Sequence, residues 1–354
     1  MMEPSTIKQW QNHEGIVVSS VNGFDVIDCQ LCGFKHIIAI PTEEELEQAY
    51  RHNYYTQEKP LYIERYREDL VWWNMVYTRR YEILEQHLST GQRRMLDIGS
   101  GPGFFLLNGQ KRGWQVKGIE PSIQAAEHSS ELGLDVENVF FSEQTAPILG
   151  MFDAINMGEV LEHIPNPTAL LKLVHRQLNH NGMVCIIVPN DFNMGEVLEH
   201  IPNPTALLKL VHRQLNHNGM VCIIVPNDFN PFQIVLRDHL GFNPWWVAPP
   251  HHINYFDFSS LAKLVEQCGF AVVHKESTFP IDMFLLMGDN YIGNDQLGRE
   301  CHTKRMNFEK AMIRGGAGNV LTNLYSEFAN KNIGREVVIF AKAITSESSF
   351  FAIP

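Results

Sequence analysis

Met95-Leu96-Asp97-Ile98-Gly99-Ser100-Gly101-Pro102-Gly103-Phe104 is the stretch on which the reading of this chain turns. Arg94–Ile98 is an apolar run of strand length, and it ends in the alternating glycines Gly99, Gly101 and Gly103. Glycines at the carboxyl end of a strand let the backbone turn sharply and approach a ligand closely, where open α/β sheets bind. Twenty-three positions after Asp97, the next strand-like run, Gln115–Ile119, ends in another acid, Glu120. That distance suits a carboxylate that accepts from both hydroxyls of a ribose. Asp97, Gly99, Gly101 and Glu120 thus form one spaced set.

Outward from this set the pattern repeats. Asp135–Phe141, Phe152–Met157 and Met183–Val188 are further apolar runs of strand length, and Thr168–Leu178 is an amphipathic helix before the last of them. A helix at Ser259–Cys268, stopped by Gly269, precedes strands at Phe270–His274 and Glu336–Lys342. Alternating strands and helices predict an α/β fold, a doubly wound, Rossmann-like, seven-stranded and mostly parallel sheet. A small N-terminal cap and a C-terminal extension complete it. The expected units are a knuckle-like module at 1–60, a helical cap at 61–90, a core at 91–280 and a C-terminal region at 281–354 that completes the sheet. In the cap, Thr42 and Glu45 form a capping box, and a helical run extends from about Glu64 to His87.

The spacing of the glycines separates two nucleotide ligands. A dinucleotide loop reads G-x-G-x-x-G, with a helix N-terminus facing a pyrophosphate. Here the run is G-x-G-x-G, and Asp97 stands two residues before its first glycine. A carboxylate there repels a pyrophosphate and suits a ligand that carries an ammonium group. This disfavours an NAD-dependent dehydrogenase and favours S-adenosylmethionine (SAM), with its ribose at Glu120 and its amino-acid end near the loop and Asp97.

With these residues in place, the chain resembles the class I SAM-dependent methyltransferases, in their small-molecule branch. That branch reads DIGSGxG, then E-P-S, then FDxI followed by EVLEH and PxP. The chain has Asp97–Gly103, Glu120-Pro121-Ser122, Phe152–Ile155 and Glu159–His163, then Asn181-Gly182 leading to Pro189-Asn190. Pro249–Phe256 is similar to its P-x-H-x-x-Y-F segment. The resemblance covers roughly residues 90–275. It implies that the Gly99–Gly101 backbone, Ser100 included, and Asn156 and Met157 hold the methionine part of SAM, and that Glu120 holds the ribose. It also implies a small-molecule acceptor, such as a nucleotide-linked sugar or another biosynthetic intermediate.

One feature stands apart from the pattern. Met157–Asn193 recurs without a substitution as Met194–Asn230, a period of 37 residues. Solenoid repeats diverge and need at least three units for stability, so two identical copies read as a recent tandem duplication or a sequence-assembly error. Copy one continues Phe152–Ile155 and places Met157–His163 next to SAM, whereas copy two gives Met220–Asn227 the better claim to the fifth strand. One αβ unit is then surplus, and it is expected to be extruded or to pack at the surface. A SAM-binding protein that has lost turnover through the duplication is the reading from outside the enzymes.

For an oxygen or carbon acceptor, methyl transfer needs a base. His163, just beyond the SAM-binding strand, and His252, in the Pro249–Phe256 segment, are the catalytic candidates. Tyr54 and Tyr55 are candidates for the acceptor pocket. Cys29-Gln30-Leu31-Cys32 is half of a zinc knuckle, a module that sugar methyltransferases of this branch carry as two C-x-x-C pairs. The second pair is missing, and although His13 and His36 could substitute, the expectation is a metal-free remnant.

Composition bounds the rest. The 354 residues carry 28 Lys+Arg against 40 Asp+Glu, a net charge of −12. So acidic a chain argues against a nucleic-acid or anionic-membrane footprint. Six cysteines, two of them the duplicated Cys185 and Cys222, are too sparse for a secreted disulfide framework. With no apolar leader after Met1 and no apolar run of membrane-spanning length, a cytoplasmic location is expected.

Overall fold

A computed structural model describes residues 6–42, 69–89, 91, 93–158, 160, 167–187, 198–215, 219–250 and 252–344. At its N-terminus, β1 (Ile7–Trp10), β2 (His13–Val21), β3 (Phe24–Cys29) and β4 (Lys35–Ile38) pair in turn as antiparallel neighbours. The fifth strand of this sheet comes from far along the chain, where β11 (Asn254–Tyr255) pairs antiparallel with β4. Phe34 lays its ring 5.0 Å from that of Phe256, and both belong to the hydrophobic core beneath the larger sheet. The module is therefore built into the core. The capping box at Thr42 and Glu45 and the tyrosines Tyr54 and Tyr55 fall on segments outside the described residues.

The core begins with α1 (Leu70–His87) and alternates from there. Its first half runs β5 (Arg94–Ile98), α2 (Phe104–Lys111), β6 (Gln115–Ile119), α3 (Ile123–Glu131), β7 (Val136–Glu137), α4 (Ala146–Leu149) and β8 (Phe152–Gly158). The duplicated region supplies α5 (Pro167–Gln177), β9 (Leu178–Ile187), α6 (Pro204–Gln214) and β10 (Met220–Pro226). After it come α7 (Pro231–Leu240), α8 (Phe258–Gln267), β12 (Phe270–Ser277), α9 (Asp282–Leu286), α10 (Asp295–Arg314), α11 (Gly318–Asn330) and β13 (Glu336–Ala343). The strand expected at Asp135–Phe141 shrinks to Val136–Glu137 at the sheet edge, where Val139 already turns back to the Glu137 carbonyl.

The sheet order is β12-β13-β10-β9-β8-β5-β6-β7. The strands from β10 through β7 are mutually parallel, and β13 runs antiparallel to both β10 and β12. This is the doubly wound α/β class, but with eight strands where seven were expected. Nor is a unit extruded. Copy one's strand β9 lies beside β8, and copy two's strand β10 is inserted between β9 and β13.

The reason is apolar burial. Each copy is a complete unit, a helix with one apolar face (Leu170, Leu171 and Val174; Leu207, Leu208 and Val211) and a strand buried on both sides. Extruding one would return a whole helix face and a Met-Val-Cys-Ile-Ile strand to water, at about 25 cal/mol for each Å² of apolar surface. A parallel sheet can instead open at one ladder and close on a new strand of the same polarity. Its two faces already expect helices at that spacing.

Candidate cofactor and acceptor site

The glycine loop leaves β5 at the carboxyl edge of the sheet. Gly99 and Ser100 donate their amides to the Ile119 carbonyl at 2.7 and 3.1 Å, which ties the loop to the end of β6. Gly99 has φ +70°, and a Cβ there would come within 2.6 Å of Val160 Cγ2. Only glycine fits this turn beneath the segment that follows β8. Gly103, at φ 81°, then caps α2, whose N-terminus opens toward the loop.

Glu120 ends β6 and is buried. One carboxylate oxygen accepts the Gly101 amide at 2.7 Å and the other accepts the Ser122 amide at 2.7 Å. Asn138 holds the Glu120 carbonyl at 2.9 Å, and the Ser122 hydroxyl caps α3. The carboxylate is therefore fixed in direction before any ligand arrives. Such preorganisation is what a site that reads a ribose through two hydroxyls needs.

Asp97 and Asn156 are register partners across the β5–β8 ladder, and the Asn156 amide donates to Asp97 Oδ1 at 2.6 Å. Asp97 is only 3% exposed. Burial pushes its carboxyl up to about 7, against the stabilising bond from Asn156 and with a further upward push from Glu120. A carboxyl balanced near neutrality inside the protein is a prepared receptor for a cation, because a bound ammonium compensates the desolvated charge. Two polar atoms at this edge, Ser100 Oγ and Asn156 Oδ1, are buried without hydrogen-bond partners among the described residues. Both are available to a polar ligand. Met157 pairs with Ile98 in the next register position, and its side chain is fully buried, so what it can offer a ligand is backbone.

Asp97, Gly99, Ser100, Gly101, Glu120, Asn156 and Met157 thus gather at the carboxyl ends of three adjacent strands, β6, β5 and β8. Acid, glycine loop and ordered amide donors fit the ammonium, carboxylate and ribose of SAM, which when bound supplies an electrophilic methyl group on a sulfonium.

His163 lies outside the described residues. Its duplicate, His200, does not, and the structure pairs it with the other catalytic candidate. The His200 and His252 rings meet edge to face with centroids 4.8 Å apart. The Glu199 carbonyl accepts the amides of Ile253 and Asn254 at 2.7 and 2.9 Å, and the Asn254 side chain donates to the Leu198 and Ile201 carbonyls. Copy two's Leu198–His200 turn is thereby bound to the segment that carries His252, which also takes the Tyr255 hydroxyl on its carbonyl at 3.0 Å. His200 was missed as a candidate because copy two was assigned only its strand. The repeat itself was the signal, since whatever role His163 has by type, His200 has too.

The methyltransferase domain family matches the chain twice, over residues 75–196 and 192–275. Together the matches span more than half of the chain, and each contains one copy of the repeat. The ubiquinone biosynthesis O-methyltransferase of Chromobacterium violaceum is 32% identical over 111 residues, which is 30% of this chain and 48% of that protein. Its counterpart from Dechloromonas aromatica is 31% identical over 117 residues, 31% of this chain and 50% of that protein. The chain spans about half the length of these curated relatives. Among solved structures, a SAM-dependent methyltransferase from Archaeoglobus fulgidus aligns with a TM-score of 0.35 at 15% identity, over 76% of this chain and 93% of that one. Coclaurine N-methyltransferase aligns with a TM-score of 0.36 at 15% identity, over 81% and 76%. No helix among the described residues is long and apolar enough to cross a membrane. With the DIGSG loop, the acid that ends the second strand of the sheet and both family matches in one sequence order, the chain belongs to the class I SAM-dependent methyltransferases.

Proposed function

We propose that this protein transfers the methyl group of SAM to a hydroxyl oxygen of a small biosynthetic acceptor in the cytoplasm. The observation that carries the SAM half is the Asp97–Asn156 pair beside a Glu120 carboxylate already oriented by two backbone amides. The acceptor half rests on the relatives that share the core segment, which are named as O-methyltransferases. A net charge of −12 favours a small molecule over nucleic acid.

Methyl transfer asks little acid–base work of the protein, because the sulfonium leaves as a neutral thioether. Positioning supplies much of the rate, and a hydroxyl acceptor must in addition give up its proton. We assign that proton to an imidazole nitrogen of His252, with His200 orienting the ring edge to face. Asp97 and Asn156 hold the amino-acid end of SAM, and Glu120 holds the ribose.

A second reading, SAM binding without turnover, has one observation in its favour. The Leu198–His200 turn comes after β9 in the chain and not directly after β8, the strand that pairs with β5 and carries Asn156 beside Asp97. Calorimetric titration with SAM and with NAD tests the cofactor, and binding of NAD in place of SAM would overturn the assignment. Release of S-adenosylhomocysteine with phenolic quinone precursors and with nucleotide-linked sugars tests the acceptor. Tight SAM binding with no release from either set would leave the second reading standing.

A further inference from the structure

Away from the SAM edge, four side chains of the N-terminal module converge on one point. His13 opens β2, Cys29 closes β3, Cys32 lies in the following turn and His36 lies in β4. Their ligating atoms all fall within 4.8 Å of one another. Cys29 and His36 are buried, and His13 and Cys32 are half-buried.

The distances within the group have a pattern. His13 Nδ1 stands 3.6 Å from Cys29 Sγ and 3.3 Å from Cys32 Sγ. A tetrahedral ion with metal–sulfur bonds of about 2.3 Å and metal–nitrogen bonds of about 2.0 Å requires sulfur–nitrogen edges of about 3.5 Å. The turn is shaped to present both sulfurs to the same side. Gly33 takes φ +75° and donates its amide to the Cys29 carbonyl at 2.9 Å, while the Cys32 amide points at Cys29 Sγ, 3.5 Å away.

His36 supplies the independent observation. Its Nδ1 lies 2.8 Å from the Ile37 carbonyl, which can only accept, so Nδ1 carries the proton and Nε2 is left with a free lone pair. That Nε2 is buried and has no hydrogen-bond partner among the described residues. A buried acceptor left unanswered forfeits the hydrogen bonds it makes to water in the unfolded chain. An imidazole that gives its other nitrogen to a backbone carbonyl is the arrangement found around metal-ligating histidines.

We propose that His13, Cys29, Cys32 and His36 hold one Zn²⁺ ion in a closed structural site. Two thiolates and two neutral imidazoles in tetrahedral array select zinc over the harder divalent ions. With four protein ligands no position stays open for a substrate, so the ion acts as a staple. It ties β2, β3 and β4 together at the strand on which the core docks, because His36 is the register partner of Asn254 in β11. The missing C-x-x-C pair is replaced by histidines from neighbouring strands, which a search for cysteine spacing does not find.

The test uses the full chain purified without chelator, with metal content read by plasma mass spectrometry. One zinc per chain is expected, with Cys268→Ser unchanged as a control and Cys32→Ser and His36→Ala depleted. Variants can lose metal by misfolding, so the unaltered chain carries a second measurement. After chelation, titration with Co²⁺ should give the visible d–d bands and thiolate charge-transfer band of a tetrahedral site at one equivalent. No zinc in the purified chain together with no cobalt bands would overturn the proposal. Full zinc in Cys32→Ser or His36→Ala would overturn this ligand set. Neither readout depends on methyl transfer.

Discussion

Cys185 and Cys222 are the same residue of the two copies, and they stand opposite each other in the parallel β9–β10 ladder. Met183, Val184 and Ile186 face Met220, Val221 and Ile223 in the same way, so one sequence pairs with itself in register. Burial raises the Cys222 thiol well above its usual range, and Cys185 beside it adds to the shift. Cys222 is a core thiol, inert to reagents that need a thiolate. Because both strands are interior, Ile186→Ala and Ile223→Ala should each destabilise the protein by about 2–5 kcal/mol in urea unfolding. A silent substitution at either position would place that copy outside the core.

Deleting either copy yields the same shortened sequence, with one strand joining β8 to β13. That chain should fold and bind SAM as the longer one does, since Asp97, Glu120 and the glycine loop lie upstream of the repeat. Its release of S-adenosylhomocysteine should equal or exceed that of the longer chain. Loss of SAM binding on deletion would mean that copy two builds part of the cofactor site.

Glu120→Ala removes the acceptor of two backbone amides and, on our assignment, of two ribose hydroxyls. Hydrogen bonds to a charged group contribute about 1.5–3 kcal/mol each, so SAM should bind at least about tenfold more weakly. Calorimetry reads this directly. An unchanged Kd would remove Glu120 from the site.

Asp97 predicts opposite pH trends for stability and for binding. Its folded carboxyl titrates near 7, above the usual carboxylate value, chiefly because it is buried. The folded state therefore holds a proton that the unfolded chain has released. Stability from this group is greatest below the unfolded value and falls as pH rises toward about 7, then levels. An ammonium ligand prefers the carboxylate, so SAM affinity should rise over the same interval and plateau above it. Denaturation midpoints between pH 5 and 8, with and without SAM, would show the two slopes, and Asp97→Asn should flatten both.

His252→Gln should lower turnover by about 10²–10⁴-fold while leaving SAM affinity unchanged. Equal comparison of His200→Gln and His163→Gln identifies which copy serves the acceptor. The His200–His252 contact predicts the larger effect at His200.

The β5 loop and the spaced acid were legible because backbone turns and ribose contacts constrain residue type at fixed distances, and Asp97, Gly99 and Glu120 meet where that spacing implies. The strands Arg94–Ile98 and Gln115–Ile119 were readable to the residue, since glycine and charge punctuate both ends. Two things escaped. The fate of the duplicate was misjudged because periodicity tells a strand from a helix but not which ladder will open to admit it. His13 and His36 could be named as substitutes but not placed beside Cys29 and Cys32, because their proximity is made by strand pairing and not by local spacing.

The two residues of β11 belong to the core by sequence and to the N-terminal sheet by hydrogen bonding. A chain trimmed to begin at α1 would leave Asn254 and Tyr255 as a bare strand edge and strip Phe256 of the Phe34 ring. An exposed edge beside uncovered aromatic surface is a template for association between molecules. The catalytic core cannot be cut free at that boundary without becoming adhesive, and the small sheet serves as its cover against aggregation.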